Sequence, residues 1–215
     1  MAFLVQPYMG HTNPAEAQGE KDFSVDKPLG TGIIYIKKER QQVETMKNIV
    51  LIGMPGTGKS VVGRALAERL NFTFVDVDDL IVEAAGKSLP DILRTEGLKA
   101  FLDLEGQVGE ALDCERHIIA TGGSMVLSEK AMEHLKKDSI TVWLETPLSQ
   151  ISERMPEDLW DRGIAAAPEM DIREIYEQRK PYYAKYADLI IVSREGEDST
   201  AHQVEEVMRI VGIYE

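Results

Sequence analysis

Gly53-Met54-Pro55-Gly56-Thr57-Gly58-Lys59-Ser60 is the stretch on which the reading of this chain turns. It satisfies G-x-x-x-x-G-K-[ST] at every fixed position. The apolar run Asn48-Ile49-Val50-Leu51-Ile52 before it reads as a buried strand, and residues 61–70 after it read as a helix. Between strand and helix, glycines let the backbone curl so that successive N–H groups face an anion. The helix N-terminus adds partial positive charge at the same point. Lys59 can then reach β- and γ-phosphates, and the Ser60 hydroxyl can hold Mg²⁺. The plain alternative is a glycine-rich turn closing a strand–helix corner, which would leave Lys59-Ser60 without a reason.

Outward from this loop, short β-branched strands alternate with helical periodicity. Strands are predicted at 48–52, 73–76, 117–120, 140–144 and 188–192. Helices are predicted at 59–70, 78–85, 89–94, 98–114, 128–137, 147–155, 170–186 and 199–212. Continuous apolar strands joined by helices predict an α/β fold with a parallel sheet covered on both faces. Ligands in such folds bind beyond the carboxyl ends of the strands. Residues 1–46 read differently: Pro and Gly are scattered among polar residues, and only 32–36 looks strand-like. They are expected to form a loosely ordered N-terminal extension to a single domain over 47–215.

Charge and composition exclude several classes. With 24 Lys and Arg against 37 Asp and Glu, the net charge is −13, which opposes a nucleic-acid partner. No run of 18 apolar residues exists, so no membrane span is expected. The single cysteine, Cys114, forms no intrachain disulfide and suits a reducing, cytoplasmic setting. No long apolar helix face calls for a partner subunit, so a monomer is expected.

Three further groups follow strands or lie in loops. Asp76-Val77-Asp78-Asp79 ends the second core strand. If the backbone stays extended, Asp76 and Asp78 point the same way. One carboxylate can then orient the metal's waters while the other accepts a hydroxyl proton. Helix capping is the competing role, and it accounts for one of them. Thr121-Gly122-Gly123-Ser124 follows the third core strand, where glycines admit a ligand close to the backbone. Residues 155–169 have little periodicity and read as a long loop of the lid kind, carrying Arg162 toward a transferring phosphoryl group. The four histidines show no ligand spacing.

The order of these motifs resembles the shikimate kinase family over roughly residues 47–193. The carrying stretches are Gly53 to Ser60 with Gly63-Arg64, Phe74-Val75-Asp76-Val77-Asp78, Gly86-Lys87-Ser88, and Glu96-Gly97 with Phe101 and Glu105. Ala120-Thr121-Gly122-Gly123, Arg179-Lys180-Pro181-Tyr182-Tyr183 and Ala187-Asp188 complete them. The resemblance implies a three-layer α/β/α P-loop kinase fold with a five-stranded parallel sheet and a lid. It implies ATP and Mg²⁺, and phosphorylation of a hydroxyl on a small carboxylic acid, shikimate before others.

By position, Gly53, Gly56, Thr57, Gly58, Lys59, Ser60 and Val61 would bind the nucleotide, and Arg154 would stack on adenine. Ser60 and Asp76 would serve the metal. Lys59, Asp78 and Arg162 would be catalytic, with Asp78 as base. Asp78, Gly122, Gly123 and Arg179 would bind the acceptor, Arg179 through its carboxylate.

The chain departs from the family on the acceptor side. Leu102 stands where the family has an arginine, Ser124 replaces a third glycine, Leu98 replaces a glutamate, and the lid reads Arg162-Gly163-Ile164-Ala165. Homoserine or a sugar acid therefore stays open as acceptor. So does a nucleotide-binding regulatory module without transfer chemistry.

Overall fold

The computed structural model describes residues 34–36, 47–156, 158–193 and 199–211 of the chain. Apart from Ile34–Ile36, the proposed N-terminal extension lies outside the described residues.

Six strands form one sheet. In chain order they are β1 (Ile34–Ile36), β2 (Asn48–Ile52), β3 (Thr73–Asp76), β4 (His117–Ala120), β5 (Ser139–Glu145) and β6 (Leu189–Val192). Their spatial order is β1-β6-β5-β2-β4-β3. The five from β2 onward are parallel, as expected. The sixth is an addition: β1 pairs antiparallel with β6 and covers that edge.

The helices are α1 (Lys59–Leu70), α2 (Val77–Ala85), α3 (Leu89–Ala111), α4 (Glu129–Lys136), α5 (Leu148–Glu153), α6 (Ile172–Tyr186) and α7 (Ser199–Ile210). The two helices predicted at 89–94 and 98–114 are joined into α3 across a kink at Gly97, whose φ is 87°.

Alternation along β2 explains the layers. Ile49 and Leu51 face one side, where α1 and α7 contribute Val62, Leu66, Val204 and Val207 to the core. Val50 and Ile52 face the other side, where they pack with Ile81, Ile92, Phe101, Met132 and Tyr183. Both faces are dry, which is why the strands read as unbroken apolar runs.

Asp188 was expected to open the last strand; it precedes β6 and works through its side chain instead. Its carboxylate accepts from the Thr141 amide at 2.9 Å and from Lys136 Nζ at 2.9 Å, while 5% exposed. It thereby ties β5 to α4 in a buried position.

The segment 155–169 has the irregular backbone expected of a long loop, and part of it is anchored. Ile164, Ala165 and Ala166 are 4–5% exposed and belong to the core that also holds Tyr183. Their apolar side chains pack this stretch of the loop onto the domain. On either side of these three residues the segment returns to the surface, at the 3-10 turn Trp160–Arg162 and at Pro168-Glu169. That turn is held to α3 by Arg94, which pairs with Asp161 and lies 3.8 Å from Asp158.

Candidate active site

Strand β2 sits at the switch point of the sheet, with β4 on one side and β5 on the other. The loops after β2, β3 and β4 meet there around one cavity of about 360 Å³.

The loop after β2 is shaped by its glycines. Gly53 has φ +145°, and a Cβ there would lie 2.7 Å from the Leu144 carbonyl oxygen on β5. Gly58, at φ +91°, turns the chain into α1. Helices α2, α3, α4 and α6 are capped by the side chains of Asp76, Ser88, Ser128 and Asp171. Helix α1 has no side-chain cap and no acidic residue in its first turn. Its first N–H groups and its dipole are therefore open to an anion in the cavity.

Lys59 lies over this loop, 8% exposed, with Nζ donating to the Gly53 and Met54 carbonyls at 2.9 Å each. Burial pulls its pKa down to about 8, against the pull of Asp78 and Asp76. Gly56, Gly58, Lys59, Ser60 and Val61 line the cavity. Gly53 and Thr57 do not; they build the loop from beneath, with Thr57 Oγ1 donating to Met54 O at 2.9 Å.

The Ser60 hydroxyl donates to Asp76 Oδ2 at 2.6 Å, so the two expected metal donors already touch. A pair of hard oxygen donors with room for water beside it fits Mg²⁺. Asp76 also caps α2 by accepting from the Asp78 amide at 3.2 Å. The extended-backbone argument for Asp76 and Asp78 does not hold: the strand ends at Asp76, and Asp78 lies in the first turn of α2. Both still line the cavity. Burial, and then the Asp76 charge, push the Asp78 carboxyl up to about 6.

The other side of the cavity comes from the loop after β4 and from α3 and α6. Gly122 and Gly123 line the cavity because nothing larger fits. A Cβ on Gly122 would lie 2.2 Å from Glu105 Oε1 and 2.9 Å from Asp78 Oδ1. One on Gly123 would lie 2.7 Å from Pro55 Cδ and 3.0 Å from Arg179 Nη1. Tyr183, stacked on Trp143, fixes this loop by donating to Gly123 O at 2.7 Å. Arg179 is 1% exposed; Nη2 donates to Ala165 O, and Nε has no partner. A buried guanidinium with a free N–H beside a cavity calls for an anion such as a carboxylate.

Arg162 lines the cavity and donates from Nη1 to Arg154 O at 2.6 Å. Arg154 is not part of the same cavity. It donates to Gly56 O at 2.8 Å and lines an adjoining cleft with Met155, Pro156 and Arg162.

Glu105 is the site residue that residue-by-residue reading missed. It is 2% exposed and lines the cavity, and its Oε1 has no partner. Its place among the motifs, four residues after Phe101, was the only sign in the sequence.

An uncapped glycine-loop helix, a carboxylate pair and a buried arginine around one cavity define a P-loop phosphotransferase. A sequence profile described as Shikimate kinase matches residues 55–210. Shikimate kinase of Persephonella marina is 40% identical over 152 residues, covering 70% of this chain and 91% of that protein. That of Caldanaerobacter subterraneus is 38% identical over 168 residues, covering 76% and 95%. Among solved structures, shikimate kinase from Acinetobacter baumannii in complex with shikimate superposes with a TM-score of 0.69 at 28% identity, covering 81% of this chain and 98% of that one. Shikimate kinase from Aquifex aeolicus gives 0.64 at 30% identity, covering 77% and 96%. The chain belongs to the shikimate kinase family.

Proposed function

We propose that the chain transfers the γ-phosphoryl group of ATP to a hydroxyl of shikimate, giving shikimate 3-phosphate and ADP. One observation carries this reading: a single cavity is lined by the phosphate loop, by Asp78 and by a buried arginine with a free N–H. Such a site brings a phosphoryl donor against a hydroxylated acid.

The loop amides, Lys59 and Val61 hold the triphosphate and its nucleoside, and Arg154 lies beside the base. Ser60 and Asp76 would hold Mg²⁺, which when bound neutralises charge on the β- and γ-phosphates. Arg179 grips the acceptor carboxylate while Gly122 and Gly123 let the ring approach the backbone. Asp78 accepts the proton as the acceptor oxygen bonds to the γ-phosphorus and the bridging P–O bond to ADP breaks. Lys59 and Arg162 face the charge spread over the transferring oxygens.

We assign this activity to residues 47–215, acting as a cytoplasmic monomer without nucleic-acid or membrane partners. The net charge of −13 supports this, and no helix among the described residues is long and apolar enough to cross a membrane.

A second reading, another hydroxy acid, is favoured by Leu102, which packs on the core and brings no charge to the cavity. ADP release measured with shikimate, homoserine and gluconate separates the two. Turnover of shikimate, lost in Lys59→Ala, is expected. Turnover of homoserine or gluconate alone would refute the acceptor. Tight ATP binding with no turnover on any acceptor would refute transfer itself.

A further inference from the structure

Two residues that line the cavity each carry a buried polar atom without a partner, Arg179 Nε and Glu105 Oε1. Arg179 is explained by an acceptor carboxylate. Glu105 is not, because a carboxylate oxygen and the acceptor's carboxylate would repel. Among the described residues Glu105 also forms no ion pair, although Arg179 and Lys59 are near enough to pull on it. Arg179 turns its Nη2 to Ala165 O, Lys59 turns its Nζ to two carbonyls, and neither forms an ion pair with Glu105. One helical turn back along α3, the neighbouring position is Leu102, which is apolar and packed on the core.

An isolated carboxylate in a dry site is unstable, and the usual outcome is that the group keeps its proton. The groups facing Glu105 are Asp78 on α2, Lys59 on α1, Arg179 and Tyr183 on α6, and the Ser124 hydroxyl after β4. Burial dominates them and pushes its carboxyl up to about 7; Ser124, Arg179 and Lys59 pull it down, and Asp78 pushes it further up. Oε1 and Asp78 Oδ1 both converge on the space over Gly122.

We propose that Glu105 works as a neutral carboxylic acid, donating a hydrogen bond to the acceptor hydroxyl next to the one held by Asp78. It is thus a specificity-determining residue that selects acids with two adjacent hydroxyl groups. This deepens the shikimate reading and rests on it. An acid without a second hydroxyl leaves the buried donor unpaired, which is the strongest basis for rejecting an analogue. Ionised Glu105 loses the donor and repels an anionic acceptor.

The test has an arm that needs no acceptor. Carbon-13 spectra of the glutamate carboxyl groups are followed against pH, with the Glu105 signal identified by its disappearance in Glu105→Gln. A midpoint near neutrality is expected, and one in the ordinary carboxylate range overturns the proposal. Ser124→Ala removes a hydroxyl that favours the carboxylate and should move that midpoint upward; an unmoved or lower midpoint counts against it. In the binding arm, calorimetric shikimate affinity of the native protein should fall about tenfold as Glu105 ionises, the worth of one hydrogen bond. In Glu105→Gln that fall should be absent, since the amide donates at every pH. Equal pH dependence in both proteins overturns the proposal. If shikimate does not bind at all, the acceptor assignment fails, while the titration still judges Glu105.

Discussion

Gly122→Ala isolates how tightly the acceptor site is built. Gly122 is not among the residues with positive φ, so alanine fits its backbone and the effect is steric alone. The new methyl would meet Glu105 Oε1 at 2.2 Å and Asp78 Oδ1 at 2.9 Å. A relaxed carbon–oxygen contact is about 3.3 Å, so the Glu105 oxygen must retreat by about 1 Å. Glu105 and Asp78 both line the cavity, so their carboxylates can yield, but only by leaving the positions they hold over Gly122. Overpacking of this kind costs about 1–3 kcal/mol. For a domain of this size that lowers Tm by about 2–4 °C per kcal/mol. The larger effect falls on catalysis: misplacing a positioning group by about 1 Å can cost about 100-fold in rate. The assay is ADP release with shikimate, set beside a melting curve and an ATP binding isotherm. Loss of kcat/KM for shikimate by about 100-fold with ATP affinity retained is expected. A variant within about threefold of the native kcat/KM and with unchanged Tm would refute the packed geometry over Gly122.

Two further outcomes follow from named contacts. Asp188→Ala leaves the buried Thr141 amide unpaired and removes the Lys136 partner; destabilisation of about 2–4 kcal/mol is expected. Urea unfolding that shows less than about 1 kcal/mol would remove Asp188 from the account of β5. The pH profile of kcat/KM should fall on both sides. Asp78, raised to about 6, must be ionised to accept a proton, so activity declines as pH drops below that value. Glu105, raised to about 7, loses its donor as it ionises, and Lys59, lowered to about 8 in the free enzyme, must be charged to meet phosphate, so activity also declines as pH rises through these values. A profile with no fall below about 6 and none above about 8 would contradict both assignments.

The nucleotide half was legible because it is local. Residues 53–60 form one continuous loop, with the apolar β2 before it and α1 after it as the sequence pattern predicts. The five parallel strands were legible for the same reason, since burial on both faces leaves a mark in each short run. The acceptor half was harder. Asp78 was named on an extended-strand argument that its helical backbone contradicts, and it lines the cavity all the same. The burial of Ile164-Ala165-Ala166 within the lid segment was not legible, because three residues are too short for a periodic signal. That burial depends on the core beside Tyr183.

By itself, then, the sequence determined the phosphate loop, the layer order and the candidates Asp76, Asp78, Gly122, Gly123, Arg162 and Arg179. Only the tertiary structure decided that Arg154 stands in a separate cleft and that Arg179 has a free N–H. It alone showed that Glu105 is buried and forms no ion pair among the described residues. The physical reason is that backbone conformation follows neighbours in the chain. Burial, desolvation and the pairing of charges follow neighbours in space.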